Sequence, residues 1–472
     1  MFIYVPGRVR FFSFHNIQNE SKVNTFRRVF FGYYNSHAAL PEFRQLFQIS
    51  LALLMPLGYT RDMSMNRKQI ISWCLFDFAN SSYSAVIAAV LFSVYYTRVI
   101  VGNSTGAGDL WWGRAISMSM LFIALTSPFL GGIADYAGLR KKLLALYTGM
   151  CIVAVCGFSL LTPGAVMIGF ILIVLANIGM EGGLVFYNSF LPRIAPEDYQ
   201  GRVSSWGFSV GYAGSICSLL IALPLVKSGL YEITWIVTAA FFAVFSLPAF
   251  LFLPSDARAD ISAVQAGIRG AQQALKTIKE LWRRQEPRRF LIAYLFYEDG
   301  VNTVIVFSSI FAATTLSFGT GELIGLYLVV QMTALIGAFI LAKPTDTWGP
   351  KKVVMLSLVL WVLVAVTAYF VETRQQFWAV ACTAGLGLGT VQAGTRAFFT
   401  QFVPKGSEAE YFGVYSLVGK SSAILGPLLF GAVSSTLGSQ RPAILSIAAF
   451  FIIGLILLGR VNGGGPNVKP EA

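Results

Sequence analysis

The 472-residue chain is 56% hydrophobic and only 12% charged, about half the charge of a soluble domain, which excludes an ordinary soluble globular protein. A mean hydropathy of +0.66 and 45 Gly suit a bundle of membrane helices, in which small residues let backbones approach closely. Continuous apolar runs exclude a β-barrel, whose spans alternate apolar and polar residues, and a net charge of +13 set in short loops fits an anionic leaflet rather than nucleic acid.

Residues 1–66 are polar and aromatic, and their one apolar stretch, 49–57, is too short to cross a bilayer. They read as an unstructured extension or a start placed too early, with Met63 or Met65 as initiator. Six spans follow within 67–253, near 70–98, 112–134, 143–161, 164–188, 206–226 and 231–253. A cytoplasmic linker over 254–288 carries Ile261, Val264, Ile268, Ala271, Leu275, Ile278 and Trp282 at steps of three and four. That spacing predicts an amphipathic helix lying on the inner leaflet, with Arg269, Lys276, Lys279, Arg283 and Arg284 on its wet side. Six more spans within 289–460 lie near 289–315, 322–343, 353–371, 376–400, 412–435 and 441–459, and 461–472 form a short cytoplasmic tail. Arg140, Lys141, Lys142, Arg193, Arg202, Lys351, Lys352, Lys405 and the basic linker fall on one side, which places both termini in the cytoplasm.

The five cysteines form no CxxC pair, and the only histidines, His15 and His37, precede the first span. Neither a metal nor a cofactor is expected, and no nucleophile motif or phosphate loop suggests an enzyme. Gly385, Gly387 and Gly389 lie in mid-span without a βαβ context and read as close helix packing. Asn103-Ser104-Thr105 fits a glycosylation sequon in the loop after the first span. Buried chemistry falls to carboxylates, amides, Arg and Lys.

Internal repeats govern the fold. Asp135, Gly138, Arg140 and Lys141 after the second span match Asp346, Gly349, Lys351 and Lys352 after the eighth, at an offset of 211 residues. Phe190, Pro192, Arg193, Tyr199 and Gly201 match Phe402, Pro404, Lys405, Tyr411 and Gly413 at an offset of 212. Within the first and seventh spans, Asp77, Asn80 and Ser81 match Asp299, Asn302 and Thr303. The matched spans run in the same direction, so the expected fold is an all-α membrane protein of twelve transmembrane helices in two parallel six-helix repeats.

Such a pair of halves resembles the major facilitator superfamily, whose Asp-x-x-Gly-x-basic-basic loop occurs here twice. Tyr136 and Leu139 depart from the basic residues often found in that loop. A narrower likeness rests on Trp73-Cys-Leu-Phe-Asp77-Phe-Ala-Asn80-Ser81, Phe186-Tyr187-Asn188 through Pro192, and Tyr297-Glu-Asp299-Gly300-Val301-Asn302-Thr303. Gln392 to Arg396 and Gly419-Lys420 through Gly426-Pro427 complete it. Together they resemble the vacuole-effluxer-like branch, related to the autophagy permeases that release amino acids from fungal vacuoles, over about residues 67–460.

That resemblance implies that spans one, four, seven and ten line a central cavity. A charge at mid-membrane costs at least about 2.5 kcal/mol, so each should be paired or wet. The candidates for substrate binding and proton coupling are Asp77, Asn80, Glu181, Glu298, Asp299, Asn302, Gln392, Arg396 and Lys420, with Asn177 beside them in span four. Asp77 and Asp299 are expected at similar depth on opposite walls, able to take and release a proton. Of Glu298 and Asp299, one is expected to face the cavity and the other to pair with Lys420; Glu181 with Arg396 is the expected inner gate. Asp135, Gly138, Arg140, Lys141, Asp346, Gly349, Lys351 and Lys352 are expected to form conformational-switch loops. The reading is a monomeric secondary transporter of the plasma membrane that moves a small polar or zwitterionic metabolite, such as an amino acid, with protons. The alternatives are an exporter of hydrophobic cations walled by Phe76, Tyr187, Tyr297 and Phe398, or a non-transporting sensor or scaffold.

Overall fold

A computed structural model describes the strands Tyr4–Val5 and Arg8–Val9 and residues 66–255, 261–404 and 408–462. Lys405 and most of the expected extension and tail lie outside the described residues. The chain divides into two compact units, 1–64 and 65–472. In the first, β1 (Tyr4–Val5) and β2 (Arg8–Val9) pair antiparallel, with Tyr4 opposite Val9.

The second unit is helical among its described residues. Its first half holds α1 (Arg67–Val101), α2 (Ala107–Tyr136), α3 (Arg140–Gly157), α4 (Val166–Asn188), α5 (Glu197–Lys227) and α6 (Tyr231–Phe252). The linker helix is α7 (Ala263–Arg283). The second half holds α8 (Gln285–Thr315), α9 (Thr320–Thr347), α10 (Pro350–Phe370) and α11 (Arg374–Phe399). Its eleventh span is split into α12 (Glu408–Ser421) and α13 (Leu425–Leu437), and α14 (Gln440–Gly459) closes the half. Among the described residues, eleven spans are long and apolar enough to cross a membrane. The remaining expected span, α11, is a 26-residue helix, about 39 Å long at the usual rise. Gly, Thr and Gln dilute its hydropathy because it is packed on protein: a Cβ on Gly385 or Gly389 would strike Thr333 or Ala334 of α9. α1 widens into π-helical turns over Tyr83–Val90 and Tyr96–Val101.

The duplication reaches the details of packing. Gly138 and Gly349, which follow α2 and α9, have φ of +65° and +88°, values that glycine adopts without a Cβ clash. Lys141 Nζ donates to the Leu253 carbonyl after α6 at 2.7 Å, and Lys351 Nζ to the Gly459 and Val461 carbonyls after α14 at 3.0 and 2.6 Å. Each half therefore uses a lysine in the first turn of its third helix to satisfy carbonyls freed where its sixth helix ends. The two lysines stand one position apart in the repeat: Lys351 matches Arg140, and Lys141 matches Lys352.

α2 joins the two halves differently at its two ends. Its first turns press on α13: Ser117 Oγ donates to the Ile424 carbonyl at 2.6 Å, and a Cβ on Gly113 would strike the Pro427 carbonyl. Toward its other end α2 packs on α7, where Gly132 and Gly270 touch backbone to backbone and Gly267 lies on the Phe129 ring. α7 also reaches the second half through Tyr411 Oη to Glu280 at 2.6 Å and Arg284 to the Phe402 carbonyl at 3.0 Å. The side of α7 that packs on protein carries Ala266, Gly267, Gly270, Thr277 and Leu281, whereas Val264, Ile268, Leu275 and Trp282 of the predicted stripe are exposed. Apolar periodicity missed the packed side because glycine and threonine are not apolar signals.

A Cβ at position 270 meets backbone and cannot be relieved by a rotamer change. Gly270→Ala is expected to lower stability by about 1–3 kcal/mol through overpacking and to raise amide hydrogen exchange across 263–283. Ile268→Ala, on the exposed side, should change both far less.

Candidate substrate and coupling site

The site is organised by the interruption of the eleventh span. Pro427 has no N–H and its ring opposes a continuous helix, so α12 stops at Ser421 and α13 starts at Leu425. The freed Gly426 N–H donates to Asp299 Oδ1 at 2.8 Å, and Thr303 Oγ1 donates to the Asp299 carbonyl at 2.7 Å. A carboxylate at a helix N-terminus is favoured by the local dipole. On the other side of the break, Lys420 sits in the last turn of α12, where a cation is favoured, and pairs with Glu181 of α4. That ion pair crosses between the halves, with both side chains about three-quarters buried. The expected pairing of Lys420 with Glu298 or Asp299 is thus corrected, as is the Glu181–Arg396 gate. The end of α12 directs Lys420 across to α4, while Asp299 is held by α13.

The first half shows the same packing without the break. Gly207 and Gly214 of α5 precede Gly419 and Gly426 by the same 212 residues, and Gly207 lies against the Asp77 carboxylate and Trp73. Asn80 Nδ2 donates to Asp77 Oδ1 at 3.3 Å. Trp73 and Tyr187 stack at 4.6 Å and exchange hydrogen bonds, Nε1 to the Tyr187 carbonyl at 3.2 Å and Oη to the Trp73 carbonyl at 3.1 Å. The duplicated aspartates have therefore diverged. Asp299 is 2% exposed and bonded to backbone, whereas Asp77 is half-buried beside a side-chain amide.

On α8, Tyr294, Glu298 and Asn302 fall four residues apart on one face. Tyr294 stacks on Tyr415 at 4.6 Å and Asn302 Nδ2 donates to Ser422 Oγ at 3.3 Å, which leaves half-buried Glu298 between them. Gln392 and Arg396 are exposed one turn apart on α11. Asn177 belongs to a fixed network instead, donating to Ser119 Oγ at 2.7 Å and accepting from Tyr83 Oη at 3.4 Å. The aromatic wall expected for hydrophobic cations does not exist as a wall: Phe76, Tyr187, Tyr297 and Phe398 are at most 2% exposed. Tyr297 Oη meets Thr395 Oγ1 at 2.9 Å inside the α8–α11 contact.

The sequence matches the family described as vacuole effluxer Atg22 like over residues 114–464. The chain belongs to the vacuole effluxer Atg22-like family. It is 29% identical to an uncharacterized MFS-type transporter, YxiO, of Bacillus subtilis, over 84% of this chain and 95% of that one. Autophagy-related protein 22-1 of Penicillium rubens is 22% identical, over 72% and 73% of the two chains. The nucleoside transporter NupG superposes with a TM-score of 0.61 at 14% identity, covering 84% of this chain and 99% of that one. The human organic anion transporter MFSD10 gives 0.58 at 13%, covering 83% and 99%. The fold is that of the major facilitator transporters, and this Atg22-like chain is a multi-pass membrane transporter, not an enzyme.

In the Atg22-like loops, Asp135 pairs with Arg140, whose guanidinium lies 5.6 Å over the Phe190 ring, while Lys352 is exposed. The side chain of Asp346 lies outside the described residues. Sequence reading missed Asp109, which it left in a loop ahead of the second span. The helix starts at Ala107, and Asp109 is fully buried at the contact between the halves. Its one sequence signal was a carboxylate two residues before Trp111-Trp112. Asn103, the sequon residue, donates its amide to Asp109 at 2.7 Å and is turned into the protein.

If Asp299 caps α13, Asp299→Ala should cost about 1–3 kcal/mol by leaving a buried N–H unpaired. Asp299→Asn, which keeps an acceptor, should retain most of the stability. Thermal unfolding in detergent measures both, and an alanine variant as stable as wild type would refute the cap.

Proposed function

We propose that this transporter moves a small zwitterionic metabolite, an amino acid, by alternating access with protons as the coupling ion. The observation that carries this reading is a polar interior of both signs. Asp77 and Glu298 stand half-buried on the first and second halves, and Arg396 is exposed on α11 of the second. A carboxylate suits the ammonium of such a cargo and the guanidinium its carboxylate. Burial of Phe76, Tyr187, Tyr297 and Phe398 removes the apolar surface that a hydrophobic cation would need.

Asp77 and Glu298 are the proposed proton carriers, with Asn80, Asn302, Gln392 and Arg396 orienting cargo. Glu181 and Lys420 form the tie that must be remade as the halves rock, since a cross-half ion pair has a different partner set in each state. The Asp135, Gly138, Arg140, Lys141 loop and its repeat Asp346, Gly349, Lys351, Lys352 hold the helix ends of each half together during that movement. The end bearing α7 is assigned to the cytoplasm, from the basic residues gathered there, and the membrane to the cell's plasma membrane. The contact of α2 with α13 closes the opposite end. α7 lies at the inner leaflet with its exposed apolar stripe toward lipid.

Proteoliposomes offered labelled amino acids, sugars and cations, with and without a pH gradient, test the proposal. Gradient-driven accumulation of an amino acid is expected. Asp77→Asn or Glu298→Gln should reduce accumulation at least about tenfold while exchange of internal for external substrate continues, because the amide keeps size and hydrogen bonding but cannot titrate. Normal accumulation in both variants would remove these carboxylates from coupling, and uptake confined to sugars or cations would remove the cargo assignment.

A further inference from the structure

At the end of the bundle opposite α7, the halves meet around Asp109, in the first turn of α2 and 0% exposed. Its Oδ1 accepts from Asn103 Nδ2 at 2.7 Å and Gln440 Nε2 at 3.0 Å. Its Oδ2 accepts from Ser434 Oγ at 2.5 Å and Gln440 Nε2 at 2.8 Å. Gln440 is oriented in turn by Thr315 Oγ1, which donates to its Oε1 at 2.7 Å. Asn103 belongs to the same half as Asp109; Ser434, Gln440 and Thr315 come from α13, α14 and α8 of the other. These partners are all neutral, and Arg98, the basic residue ending α1, donates instead to the Ala313 carbonyl at 3.2 Å.

The backbones at this seam are as close as glycine permits. A Cβ on Gly106 would sit 2.5 Å from the Ser434 carbonyl oxygen, and one on Gly431 2.7 Å from that of Asp109. The carboxylate is therefore enclosed, and its cross-half donors exist only while the seam is shut. If the halves part here, Ser434 and Gln440 leave with their half, and Asp109 keeps Asn103 and meets water. A group that interacts differently with its surroundings in two conformations sets the balance between them.

We propose that Asp109 is the latch of the gate at this end, holding it shut through Ser434 and Gln440. This positioning role rests on the alternating-access reading. Asparagine at this position turns an NH2 group toward donors that need an acceptor, so the seam loses hydrogen bonds without losing volume.

Amide hydrogen exchange on the full-length chain in detergent, without substrate, tests the latch separately from transport. Asp109→Asn is expected to raise exchange at least about tenfold in 107–113 and 431–441 while 143–155 and 353–365 stay at wild-type rates. Gly431→Ala, which pries the same backbones apart and leaves the carboxylate in place, should open the same two segments. Should the asparagine variant fail to fold, Ser434→Ala, which removes one donor, should give a smaller opening of the same segments. Wild-type exchange at the seam, or a rise spread equally over 143–155 and 353–365, would overturn the latch. So would opening by Gly431→Ala alone. Absence of amino-acid uptake, with the seam opening as described, would sink the cargo assignment and leave the latch standing.

Discussion

A helix interrupted inside a membrane leaves backbone N–H and C=O groups with no water to satisfy them. That constraint, imposed here by Pro427, orders the interior of this transporter. Asp299 accepts the Gly426 N–H in the first turn of α13, Lys420 occupies the negative end of α12, and through Glu181 the lysine ties the broken span to the other half. Both charged groups beside the break are thereby engaged in holding it. Asp77, Glu298 and Arg396 are the groups proposed to meet cargo.

The halves share a pattern of packing that departs at the eleventh span. Gly207 and Gly419 admit the close approach of α5 to α1 and of α12 to α8, and Gly214 and Gly426 repeat it further along. Yet Gly214 lies in a continuous helix, whereas Gly426 begins a new one. The second aspartate of the duplicated pair thus caps a helix, whereas the first lies beside the Asn80 amide. The same glycine economy fixes the meeting of the halves. α2 is pressed against α13 at one end and against α7 at the other, and α7 in turn reaches the second half through Tyr411 and Glu280.

Much of the fold could be read from the residues. Apolar runs of about 20 gave the spans, and the offsets of 211 and 212 gave two halves in the same orientation. Spans one, four, seven and ten are expected to line a cavity from the resemblance to the major facilitator superfamily, and the cost of a charge in hydrocarbon singles out their polar residues. α7 was found by its exposed stripe and misjudged at its packed side, since Gly267, Gly270 and Thr277 carry no hydropathy signal. Asp109 was passed over because a carboxylate near a span's end reads as solvated until the other half is seen to cover it.

Sequence alone determined what is local or additive: the number and length of the spans, the parallel duplication, and the placing of polar residues on spans one, four, seven, ten and eleven. It could not choose partners among those residues. Lys420 is expected from the sequence to meet Glu298 or Asp299, and its pairing with Glu181 follows from where α12 ends and which wall faces it. Pairing depends on directions a few ångströms apart in three dimensions, set by helix packing between segments 239 residues distant in the chain. Only the tertiary structure fixes those directions.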